Sequence, residues 1–259
     1  MKNYLSVFYL QIKSTFVRIM SVILLMSAVQ TTLFIHILNS GDILIPSWFT
    51  DETFLSGIEK ILQNNYSITI VFAICFILVT VILSLNGCKY ASREDYTLRR
   101  LNITEKKAML VKGTYGVFAY SLFFISEALI MFTLCCIYSS FAENHPYAFE
   151  GSVSNQMIFL AHYRSDLIHS VLPLEDYFKY ISTFFAILGM SFSTAFIPYF
   201  VRRKRLFLEA FILLPLILLN FTAAWTSGFS SDVFIVGASC FILGVLTVRV
   251  SKEEQAYDR

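Results

Sequence analysis

The chain reads as an all-α, multi-pass membrane protein. Six apolar runs, at residues 17–38, 68–85, 117–141, 180–201, 207–225 and 233–248, are each close to the ~20 residues that a helix needs to cross ~30 Å of hydrocarbon. The 259 residues are 56% hydrophobic and only 15% charged, too little polar surface for a soluble domain of this length. Lysine and arginine divide the connecting segments between two faces. With the N-terminus in the cytoplasm, only Lys60, Arg164 and Lys179 of the 20 basic residues fall outside. That positive-inside asymmetry fits six spans with both termini cytoplasmic. Unbroken runs, in place of short alternating segments, argue against a membrane β-barrel.

Residues 1–16 are too polar to span. Leu5, Phe8, Tyr9, Ile12 and Phe16 recur at helical spacing, with Lys2, Asn3, Ser6, Gln11 and Lys13 on much of the other face. This predicts an N-terminal amphipathic elbow helix in the membrane interface. It would turn into the first span at Arg18, whose guanidinium snorkels to the headgroups. The first apolar run is too long for a cleavable signal and lacks a small-residue cleavage site. The transmembrane domain then covers residues 17–248, followed by a cytoplasmic tail at 249–259. The outer loops 39–67 and 142–178 are acidic, whereas the last outer turn, 226–232, is short and predicts a tight hairpin. The cysteines Cys75, Cys88, Cys135, Cys136 and Cys240 lie in or beside the runs, which predicts no disulfide framework; for adjacent Cys135-Cys136, with no matching Cys or His pair nearby, buried thiols are expected over a metal or redox site.

The cytoplasmic loop 87–112 is the most informative polar stretch. Ser92 followed by Asp95 is a helix start signal, and a short helix from there presents Tyr96, Leu98 and Leu101 among Arg93, Arg99 and Arg100. Asn102 followed by Glu105 is a second start, from which a helix runs into the third span. The short helix suits docking into a groove on a cytoplasmic partner. It equally suits lying on the membrane with its arginines on lipid phosphates.

The stretch from Tyr96 to Lys112 resembles the cytoplasmic loop of ABC-2-type transporter permeases. In that family a leucine-bearing coupling segment precedes Pro, an aliphatic, Ser or Thr, a polar stretch and a Lys at the next span. Leu98, Leu101, Ile103, Thr104 and Lys112 match, and Asn102 stands where proline is usual. The elbow helix, six spans and inner termini fit the same architecture. The resemblance implies the permease subunit of an ABC exporter in the plasma (inner) membrane. Its coupling helix (Tyr96, Leu98, Arg99, Arg100, Leu101, Ile103, Thr104) would dock on an ATPase subunit, present in two copies. A second permease copy or homologue would complete the assembly, with lipid around it and no nucleic-acid partner. No Gly-x-x-x-x-Gly-Lys-Ser/Thr loop occurs here, so this chain is expected to carry no cofactor and no catalysis, with ATP and Mg held by the partner. Aromatic-rich spans suit an amphipathic or hydrophobic cargo such as a peptide antibiotic, drug or lipid, and hence a role in peptide antibiotic resistance.

Polar residues within the spans are few. Glu127 lies mid-run in the third span, where burying a carboxylate costs roughly 2.5–3.5 kcal/mol. It is either a substrate or gating group or one half of an interhelical hydrogen bond, with Ser126, Gln30 and Thr31 as candidate partners. Glu209 follows the basic cluster Arg202–Arg205 by a helical turn and reads as interfacial. Pro198 and Pro215 invite kinks. His162, Asp166 and His169 share helical spacing in an outer loop, which a solvated face explains more simply than a metal does.

Two other function classes fit the sequence less well. An intramembrane protease lacks His-Glu-x-x-His, and Ser191 after Gly189-Met190 has no histidine well inside another span. A secondary transporter or channel often shows repeats or several intramembrane charges; here there is one deep acid.

Overall fold

The computed structural model describes residues 2–39, 66–86, 104–144, 177–202, 214–215 and 229–257. These include five helices: α1 (Lys2–Asn39), α2 (Tyr66–Leu85), α3 (Glu105–Asn144), α4 (Tyr177–Arg202) and α5 (Phe229–Tyr257). All five are long and apolar enough to cross a membrane. Among the described residues there is no strand. They take up the first, second, third, fourth and sixth apolar runs. Most of the fifth run, 207–225, lies outside the described residues.

Two helices far outrun their apolar segments. α1 has 38 residues and α3 has 40, about 57 and 60 Å at 1.5 Å per residue. In α1 the reason is a buried row that never stops: Val7, Gln11, Thr15, Ile19, Ile23, Met26, Gln30, Phe34 and Leu38. These positions follow the i, i+4 ridge by which one helix seats on another. The expected turn at Arg18 is not seen, because the helix runs unbroken through that residue. Its first turns pack on α3: Val7 clusters with Ala108, and the Phe8 ring meets Tyr115 edge-on at 5.6 Å. Leu5 and Tyr9, expected on the apolar face, remain 72% and 64% exposed, on the side that lipid can cover.

α3 starts where the second start signal predicts a helix. The Thr104 carbonyl accepts the first helical hydrogen bond, from the Ala108 amide at 3.1 Å, which makes Thr104 the cap residue. Glu105 follows in the first turn, where its charge suits the helix dipole.

Specific contacts give the helix directions. α1 and α3 run the same way, since Thr15 meets Tyr115 and Gln30 meets Glu127. α2 opposes both: Asn86 at its end bonds Gln11, Ile68 near its start bonds Gln30, and Thr80 bonds Tyr120. α4 opposes α3, with Met109 clustered on Phe196 and Gly116 against Ser191. α5 runs with α4: Ser182 donates to Asp232 near their starts, and Phe196 and Phe200 pack with Leu246 and Val250 near their ends. This arrangement gathers Lys2, Lys13, Arg18, Lys106, Lys107, Lys112, Arg202, Arg249 and Lys252 at one end of the bundle. Lys179 lies at the other.

A main core of α1, α2 and α3 side chains is built on aromatic contacts between Phe72, Phe76, Tyr120, Phe123 and Phe124. Large apolar side chains also cover the outside. Leu24 is 67% exposed and Phe241 69%, as befits helices solvated by lipid. The cysteines divide between these environments. Cys75 and Cys135 are buried, but Cys136 and Cys240 are exposed, so of the adjacent pair expected to be buried thiols only Cys135 is buried.

The α3–α4 contact depends on two glycines. A Cβ at Gly113 would fall 2.4 Å from the Phe192 ring, and one at Gly116 would fall 3.1 Å from Ser191 Cβ and 3.3 Å from its Cα. Small residues let membrane helices approach this closely. Gly237 on α5 faces nothing within 4 Å. Gly116→Leu should therefore lower stability by about 1–3 kcal/mol, read as a lower Tm in detergent, whereas Gly237→Leu should leave Tm near the wild-type value.

Candidate functional site

Two polar sites interrupt the apolar core, one toward each end. At the basic end, Asn86 Nδ2 donates to Gln11 Oε1 at 2.7 Å and to Ser14 Oγ at 3.0 Å, tying the end of α2 to α1. The Thr15 hydroxyl donates to the Gln11 carbonyl at 2.8 Å and lies 2.8 Å from the Tyr115 hydroxyl. Thr15 has one proton, so the phenol donates in that second bond. Gln11, Asn86, Lys112, Tyr115 and Thr194 line a cavity of about 10 Å³, room for one water. Lys112, the lysine that matches the family pattern, is thus buried in a polar niche at 6% exposure.

The second site is the one sequence pointed to at Glu127. Its side chain is fully buried, as is that of Gln30. Gln30 Nε2 donates to Glu127 Oε1 at 2.9 Å and, at 3.4 Å, to the Ile68 carbonyl in the first turns of α2. One amide therefore joins three helices. The other two expected partners turn to their own backbones: Ser126 donates to Phe123 O and Thr31 to Ser27 O, each at 2.7 Å. Along α3 alone Glu127 is mid-run, yet its contact with Gln30 beside Ile68 sets it near the start of α2. Beyond that level α1 and α3 continue together, through Phe34, Leu38, Ile130, Leu134 and Tyr138.

Between the two sites, the buried Tyr120 hydroxyl donates to Thr80 Oγ1 at 3.0 Å and has Thr194 as a second partner, linking α2, α3 and α4. Sequence reading missed this residue, as it missed Gly113 and Gly116. A tyrosine or glycine in an apolar run gives no sign of which neighbour it meets. Ser191 donates to the Ile187 carbonyl at 2.6 Å within its own helix.

Of the coupling residues, Tyr96, Leu98, Arg99, Arg100, Leu101 and Ile103 lie outside the described residues, and Thr104 is the cap of α3. Arg203, Lys204, Arg205, Glu209, His162, Asp166 and His169 lie outside them too. Pro198 sits buried within α4, which continues to Arg202. Comparison with protein-family models, curated proteins and solved structures gives no match.

Gln30→Leu removes the one donor that Glu127 has among the described residues. It should cost about 1–3 kcal/mol, measured as a drop in Tm. Ser126→Ala, which removes no bond between helices, should change Tm little.

Proposed function

We propose that this chain is the membrane-spanning permease subunit of an ATP-driven ABC exporter of the ABC-2 type, crossing the plasma (inner) membrane six times with both termini in the cytoplasm. The observation that carries the topology is the direction of α4 and α5. They pack side by side and run the same way, so residues 203–228 have to return from the basic end to the opposite end. A helix of that length covers about 39 Å, enough for one more crossing. Leu214 and Pro215, the described residues in that interval, are helical, and Leu214 packs against the main core. The single basic end supports a cytoplasmic face there, since α1 begins at it and α5 ends at it.

The coupling assignment rests on the resemblance of the Tyr96–Lys112 stretch. Its physical support is position. The stretch connects α2 and α3 at the basic end, where α1 and α3 extend past the end of α2 as a packed pair. A push on a coupling helix formed by Tyr96, Leu98, Arg99, Arg100, Leu101 and Ile103, ending at Thr104, would pass directly into α3. Two ATPase subunits would supply that push by binding ATP and Mg, with a second permease copy or homologue facing this one. The cargo class is an amphipathic or hydrophobic molecule such as a peptide antibiotic, drug or lipid, and Glu127 is a candidate substrate or gating group. The buried carboxylate also favours a second reading, an ATP-independent transporter or channel; transport that persists in cells lacking the ATPase would select it.

Co-purification with a phosphate-loop ATPase tests the assignment. The wild-type chain should retain the ATPase. Leu98→Asp combined with Leu101→Asp should abolish retention and transport while the chain still elutes as a folded protein. Unchanged ATPase retention by that double variant would overturn the coupling role.

A further inference from the structure

We infer that Glu127 and Gln30 form a proton-binding site, in which a neutral carboxylic acid is paired face to face with a primary amide. The inference comes from counting hydrogens and holds whether or not the chain works with an ATPase. Gln30 Nε2 carries two hydrogens, one directed to Glu127 Oε1 and the other to the Ile68 carbonyl. Neither is left over. Glu127 Oε2 and Gln30 Oε1 are then both buried acceptors with no donor among the described residues. Flipping the amide does not help, because it would set its oxygen against the Ile68 carbonyl oxygen. One additional hydrogen on Glu127 Oε2, donated to Gln30 Oε1, satisfies both atoms at once and closes a cyclic acid–amide pair.

Among the described residues, the surroundings offer no other way to neutralise the charge. The buried row of α1 on either side of Gln30 is Met26 and Phe34, and α2 contributes Ile68, Phe72 and the Cys75 thiol, none of which brings a positive charge. α3 itself contributes Phe123, Phe124 and Met131. The charged groups at the same end of α4 and α5 are Lys179 and Asp232, and Asp232 accepts from Ser182 across that other helix pair. An ionised Glu127 would leave a charge in an apolar core with one hydrogen bond, the costliest state open to it. Losing the proton would therefore loosen the joint that fastens α1 and the start of α2 to α3, making this joint sensitive to pH.

The wild-type protein and two variants, in lipid nanodiscs, test this. Infrared spectra at neutral pH should show the carbonyl stretch of a buried protonated carboxyl group in the wild type and its loss in Glu127→Gln. Glu127→Gln replaces the O–H donor with an N–H and keeps both bonds of the pair. Its Tm should match or exceed the wild type and stay flat from mildly acidic to alkaline pH, while the wild-type Tm falls as pH rises. Glu127→Ala should have a lower Tm at every pH. Absence of the carboxyl band, or a wild-type Tm no more sensitive to rising pH than that of Glu127→Gln, overturns the proposal. So does a wild-type Tm raised by sodium chloride but not by choline chloride and insensitive in Glu127→Gln, since the site would then hold a cation in place of a proton.

Discussion

The parallel packing of α4 on α5 is the constraint from which the topology follows. Neighbouring helices in a chain with short connections ordinarily alternate in direction. Here the hydrogen bond from Ser182 to Asp232 at one end and the Phe196, Phe200, Leu246 and Val250 contacts at the other require the same direction. α1 and α3 are parallel as well, with α2 returning between them. Between α1 and α3 the return is α2; between α4 and α5 the six-span proposal assigns it to residues 203–228. Only with these directions do the basic residues of α1, α3, α4 and α5 meet at one end, as the asymmetry of Lys and Arg along the sequence requires.

α3 is the helix that the others share. It meets α1 through Tyr115 and Glu127, α2 through Tyr120 and the phenylalanine cluster, and α4 through Gly113 and Gly116. Its two polar contacts with α1 differ in kind. The Thr15–Tyr115 contact, beside Gln11, Asn86 and Lys112, borders a water-sized cavity at the basic end. The Gln30–Glu127 contact is sealed in apolar surroundings near the start of α2. A helix held at both levels joins the basic end to the far end, which is what the proposed permease would need.

Apolar runs and charges made five of the spans legible, because lipid imposes a length and a composition that a sequence displays directly. The reach of α1 and α3 past their runs was less so. Gln11 and Thr15 are polar yet buried, since their partners are hydroxyls and amides on other helices, whereas Leu5 and Tyr9 of the apolar N-terminal stripe lie on the more exposed side. Thr104, not Asn102, caps α3, a two-residue difference that start signals do not resolve. At the candidate site, Glu127 was evident as an acid in an apolar run and Gln30 was among three candidate partners. Which one it met, and that Ile68 joined them, depends on helix rotation and depth that no single run encodes. Gly113, Gly116 and Tyr120 carry no local signal of their roles.

The most direct test of the topology is accessibility across residues 203–228. In a cysteine-free background, Ser227→Cys should react with a membrane-impermeant maleimide applied to intact cells, and Lys204→Cys should react only after the membrane is opened. Reaction of both from the same side would mean that the chain does not cross between them, and the six-span account would fail.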